Sequence, residues 1–96
     1  MNNTNSELII YTTEDGKTQV DVRFDEDTVW LTQEQMAELF QRSKSSINEH
    51  ISNIYSDGEL LQESTMRKFG ISEFSTKPTY FYNLDMIISV GYRVKS

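Results

Sequence analysis

The strongest constraint in this 96-residue chain lies near its middle, where two short amphipathic segments are separated only by Gln41 to Ser43. Thr32, followed three residues later by Gln35, has the form of a capping box, in which hydroxyl and amide satisfy backbone N–H groups at a helix start. A helix from about Gln33 to Gln41 is expected, with Met36, Ala37, Leu39 and Phe40 at helical spacing. Ser43 can cap a second helix that carries Ile47, Ile51, Ile54 and Tyr55 at i, i+4, i+7 and i+8. Gly58, just after Asp57, suits a left-handed helix terminus. Helices joined by so short a turn must cross steeply, so that the second protrudes while the first braces it.

The flanks read as strand. Glu7–Thr13 alternates around Leu8, Ile10 and Thr12, Asp15-Gly16 supplies a tight-turn signal, and Thr18–Phe24 alternates through Val20, Val22 and Phe24, so a β-hairpin is expected. Asp25-Glu26-Asp27 is a turn of solvated charge, and Thr28–Leu31 forms a short strand or the lead-in to the first helix. After Gly58, Met66–Ile71 and Thr79–Tyr82 can pair as a β-wing, and alternation places one face of Tyr80-Phe81-Tyr82 in the core. Asn83 can cap a last helix, whose Leu84, Ile87, Ile88 and Val90 give an apolar surface before Gly91.

A chain this short buries one modest core, so residues 7–96 are expected to form one α+β domain, with 1–6 disordered. With 36% hydrophobic residues it carries enough apolar material to fold. The absence of cysteine excludes a disulfide framework, a thiolate zinc site and a cysteine nucleophile. Met1–Ser6 lacks a basic start followed by an apolar run, and no segment approaches the roughly 20 apolar residues of a membrane span, so a cytoplasmic location fits.

Two helices in this arrangement have the geometry that reads a DNA major groove. Leu31–Phe40 followed by Ser43–Ile47 resembles the helix-turn-helix of many bacterial and phage regulators. Gln41 stands where that pattern usually has a turn glycine, and Arg42 where it usually has a buried aliphatic, so a wider or differently capped turn is expected. On the second helix Lys44, Ser45, Asn48, Glu49 and Ser52 lie off the isoleucine stripe and should face solvent. Asn pairs with adenine, Glu accepts from the cytosine amino group, and Ser and Lys serve base edges or phosphates. With Arg42 and Ser43 at the turn, these are the candidate groove contacts. His50 reads as a packing or phosphate-facing residue.

The net charge of −6 looks adverse for a phosphate binder, but its distribution is uneven. Residues 1–40 hold nine acids against Lys17 and Arg23, a balance of −7, whereas residues 41–96 hold seven bases against six acids, a balance of +1. Any nucleic-acid face must come from the second part, where Arg67, Lys68 and Lys77 on the wing are candidates for phosphate contact.

The stretches Val29–Gln33, Met36–Phe40, Ile47–Ile51, Gly58–Leu60 and Tyr82–Val94 occur in an order and spacing that resembles the N-terminal domain of the RhuM family of bacterial virulence-associated proteins. The resemblance covers nearly everything after about residue 20. It implies a winged helix-turn-helix that binds double-stranded DNA in transcription regulation or DNA targeting. Because members of that family are much longer, it also implies an N-terminal fragment of a longer protein.

An enzyme is disfavoured. Asp21 and the Asp25-Glu26-Asp27 run could suggest a metal-dependent nuclease, but consecutive acids on a turn do not converge on one cation. No Gly-rich phosphate loop or Ser/His/Asp arrangement is present, and no cofactor is implied. The serious rival is a protein-interaction module, with the acidic hairpin meeting a basic partner or the last helix forming a homodimer.

Overall fold

The computed structural model describes residues 7–25, 27–69 and 79–95. Its elements run β1 (Glu7–Thr12), β2 (Gln19–Asp25), β3 (Thr28–Leu31), α1 (Gln33–Phe40), α2 (Lys44–Ser56), α3 (Gln62–Thr65), β4 (Met66–Phe69), β5 (Thr79–Asn83) and α4 (Leu84–Lys95). The fold is α+β, with an antiparallel sheet of order β1-β2-β3-β5-β4.

Strand alternation decides what each face of this sheet does. On the helix side, Val20, Leu31 and Tyr82 join Met36 of α1, Ile47, Ile51 and Ile54 of α2, and Met86, Ile87 and Val90 of α4 in one buried cluster. The strand register puts Arg23, Trp30, Phe81 and Arg67 together on the opposite face. There the Arg23 guanidinium lies 5.1 Å from the Phe81 ring centre and that of Arg67 lies 4.9 Å from Trp30. Stacked guanidiniums cover aromatic faces that would otherwise meet water. Phe81 and Tyr82 are therefore both buried, on opposite faces, whereas alternation alone assigns only one face to a core.

The helix boundaries follow from caps. Thr32 Oγ1 accepts from the Gln35 N–H at 3.1 Å and Gln35 Oε1 accepts from the Thr32 N–H at 2.9 Å, completing the expected capping box. Ser43 Oγ accepts from the Ser46 N–H, and Asn83 Oδ1 accepts from the Met86 N–H. Helices α1 and α2 end alike. In α1, Arg42 N–H bonds to Ala37 O and Gln41 N–H to Glu38 O, while in α2 Glu59 N–H bonds to Ile54 O and Gly58 N–H to Tyr55 O. Each pair closes through a left-handed residue, Gly58 at φ 74° and Gln41 at φ 57°. Gln41 thus fills the turn-glycine position with the same backbone geometry, helped by its side-chain Nε2 donating to Glu38 O at 2.8 Å. Of the two expected alternatives, a wider or a differently capped turn, the second forms.

The last helix, capped by Asn83 as expected, runs through Gly91 to Lys95. A Cβ at Gly91 would lie 3.3 Å from the Phe40 ring, so the glycine serves close helix packing and not helix termination. Of the four apolar residues expected to form its packing surface, Ile87 and Val90 are buried, whereas Leu84 and Ile88 are about half exposed. Arg93 pins α4 to the end of α2 through Asp57 Oδ2 at 3.1 Å and Glu59 Oε1 at 2.9 Å. Hydrogen bonds from Arg93 and then Ser89 hold the Glu59 carboxyl below its ordinary range. No helix among the described residues is long and apolar enough to cross a membrane.

Candidate nucleic-acid interface

The protruding face of α2 is set by its buried one. Ile47, Ile51 and Ile54 are at most 3% exposed, and helical geometry turns Lys44, Ser45, Asn48, Glu49 and Ser52 outward, where all five are exposed. The first turn of α2 contains no acid, so the partial positive charge of its N-terminus stands beside Lys44 without a compensating side chain in that turn. Lys44 Nζ lies 3.6 Å from Glu34 Oε2, but both groups are well exposed and the pair is worth little. At the cap, the hydroxyls of Ser43 and Ser45 are 3.2 Å apart and share a hydrogen bond.

Asn48 is less independent than its position on the helix suggests. Its Oδ1 accepts from Gln33 Nε2 at 3.0 Å, and the same nitrogen donates to the Tyr82 hydroxyl at 3.2 Å. Gln33 thereby ties the start of α1 to α2 and to the sheet. Sequence reasoning missed it because periodicity assigns a residue to a face and does not name its partner. The only signal was a long polar side chain directly after the cap. Thr32, Gln33, Glu34, Lys44, Thr79, Tyr80 and Tyr82 line a cleft of about 440 Å³ between the N-terminal ends of α1 and α2 and strand β5.

The remaining candidates separate. Arg42 follows the turn, where its guanidinium donates to Val94 O at 2.9 Å and to Gln41 O at 3.2 Å, reaching the last turn of α4. Lys68 lies on the helix side of β4 with its Nζ 6.0 Å from the Tyr80 ring centre. Arg67, one residue earlier, is on the opposite face over Trp30. Lys77 lies outside the described residues, as do the N-terminal six residues and Glu26. Ser43, Lys44, Ser45 and Asn48 are thus grouped at one end of α2, with the cleft joining Lys44 to strand β5 and Lys68 on the adjoining strand. Arg67 is on the far side of the sheet.

His50 is partly buried on α2. Among the described residues no three His, Asp or Glu side chains are grouped as metal ligands. No protein-family model, curated relative or solved structure matches this chain.

Proposed function

We propose that this domain binds double-stranded DNA as a winged helix-turn-helix, with α2 in the major groove and the β4–β5 hairpin beside it, in transcription regulation or DNA targeting. The observation that carries the reading is the packing of α2, whose isoleucine stripe is buried while Lys44, Ser45, Asn48, Glu49 and Ser52 on its other face are exposed. The order β3-β5-β4, in which a strand preceding α1 pairs with the hairpin that follows α2, supports it. So does the resemblance to the RhuM family. Membership of that family, a bacterial origin, a virulence-associated role and cytoplasmic work are part of the same proposal, which assigns no catalytic role.

In this reading Ser43, Ser45 and Lys44 meet phosphates and base edges near the α2 N-terminus, where oriented backbone N–H groups favour anions. Asn48, Glu49 and Ser52 read bases further along the groove. Lys68 fixes register on phosphates without reading sequence. Arg42 joins them only by leaving Val94.

The test is a titration against random duplex DNA at low and moderate salt, repeated with Lys44→Glu/Lys68→Glu and, separately, Arg67→Glu. Binding should weaken steeply with salt and fall at least about tenfold in the double variant, as expected for lost phosphate contacts. Arg67→Glu should have the smaller effect because its guanidinium lies on the other face of the sheet. Absence of binding at low salt by the folded protein would overturn the proposal in favour of a protein-interaction module.

A further inference from the structure

An apolar concavity lies away from the α2 face. It is a groove of about 810 Å³ between the helix-side face of the β1–β2 hairpin and helix α4, floored by Val20, Val22, Leu31 and Ile87. Its rim is largely apolar, with Thr13, Glu14 and Lys95 at its ends. Ile9 and Tyr11 on β1, with Leu84, Ile88 and Tyr92 on α4, are between 43% and 73% exposed. Leu84, Ile88 and Tyr92 recur at i, i+4 and i+8, so they form a continuous ridge along the helix beside the groove. Such a surface on a small domain marks an interaction site.

We propose that a second copy of this chain covers the groove, in an isologous dimer in which the two α4 helices run antiparallel and each ridge enters the other copy's groove. The occupant is present in the molecule: groove and ridge share the same helix, so a two-fold axis across α4 satisfies both at once. Charge fixes the direction. Asp85 stands in the first turn of α4 and Lys95 in the last, both exposed and both on the side of the apolar ridge. Antiparallel pairing sets Asp85 of each copy beside Lys95 of the other, whereas parallel pairing sets like charges together. Within one chain the two residues are ten positions apart, about 15 Å along the axis, too far for direct contact. Opposed helix dipoles favour the same direction.

The edge of the sheet reinforces the choice. Among the described residues strand β1 pairs only with β2, and it presents Ile9 and Tyr11 to the groove side without a lysine or proline in the strand, although edge strands usually carry such residues to prevent association. A domain that leaves this edge apolar is suited to having it covered.

The experiment is sedimentation velocity of the chain without DNA, from low micromolar to sub-millimolar protein, so its outcome is independent of the DNA-binding proposal. The wild type should show a concentration-dependent monomer–dimer equilibrium. Ile88→Asp, at an exposed position, should raise the dissociation constant at least about tenfold while leaving the circular dichroism spectrum unchanged. Asp85→Lys and Lys95→Asp should each weaken the dimer, and the two together in one chain should restore it. Restoration is specific to antiparallel pairing. A wild type that stays monomeric throughout, a dimer unaffected by Ile88→Asp, or a double swap weaker than either single change would overturn the proposal.

Discussion

The two edges of the sheet are built in opposite ways. Strand β4 places Arg67 and Lys68 at one edge, a charged border of the kind that discourages strand addition, and stacks both cations on aromatic rings. Strand β1 at the other edge carries Ile9, Ile10 and Tyr11, all substantially exposed, with Ile9 and Tyr11 lining the groove and Ile10 on the opposite face of the sheet. The contrast teaches that exposed apolar area is not spread at random over this domain. Leu61 and Tyr80 are exposed as well, but Ile9, Tyr11, Leu84, Ile88 and Tyr92 gather around one groove on the side of the β1–β2 hairpin.

The most direct way to break this contrast is to remove side chains from each side and measure urea unfolding at dilute protein. Ile54→Ala, at a fully buried site on α2, should cost about 2–5 kcal/mol through lost burial and a residual cavity. Ile10→Ser, at a residue 64% exposed on β1, should change stability by less than about 0.5 kcal/mol. Comparable losses would mean that the β1 side chains stabilise the monomer, and the distinction between the two sides would fail.

A sharper comparison lies within the helical side, between its two left-handed helix ends. Gly58→Gln should destabilise by about 1 kcal/mol through backbone conformation alone, since a Cβ there meets no atom within 4 Å. Gln41→Gly should stabilise by about 0.5 kcal/mol, because relief of the left-handed strain exceeds the loss of exposed side-chain hydrogen bonds. Both follow from thermal melts. A destabilised Gln41→Gly would show that the glutamine amide contributes more than its backbone costs.

The smallest effect concerns the ion cluster that fixes α4. The folded state holds the Glu59 carboxyl below its ordinary value, so its contribution is present above the unfolded glutamate range, about 4.3, and is lost as pH falls through the folded value. Wild type should therefore lose more thermal stability on acidification than Glu59→Gln, by a small margin because the group is exposed. Parallel losses in the two proteins would remove this cluster from the account.

Much of the local structure was legible in the residues. Thr32/Gln35, Ser43 and Asn83 mark helix starts by short-range chemistry, and Asp15-Gly16 marks the hairpin turn. What was not legible depends on long-range neighbours. Pairing of β3 with β5 brings together residues about fifty positions apart, and with it Trp30 and Arg67 on the outer face. The apolar stripe of α4 is wider than the core it meets, so spacing alone could not say that Ile87 would be covered and Ile88 left open. For the candidate interface, exposure of Lys44, Ser45, Asn48, Glu49 and Ser52 follows from the isoleucine stripe, whereas the capture of Asn48 by Gln33 and the reach of Arg42 to Val94 require the fold.

The hydrogen bond from Arg42 to Val94 O has a thermodynamic consequence. One guanidinium serves both the turn before α2 and the last turn of α4, so the two places share a single donor group. A phosphate that draws Arg42 away leaves the α4 end short of a partner, and a change that re-satisfies that end frees Arg42 for the phosphate. Because coupling free energies are reciprocal, whatever binds one place through this residue changes affinity at the other by the same factor.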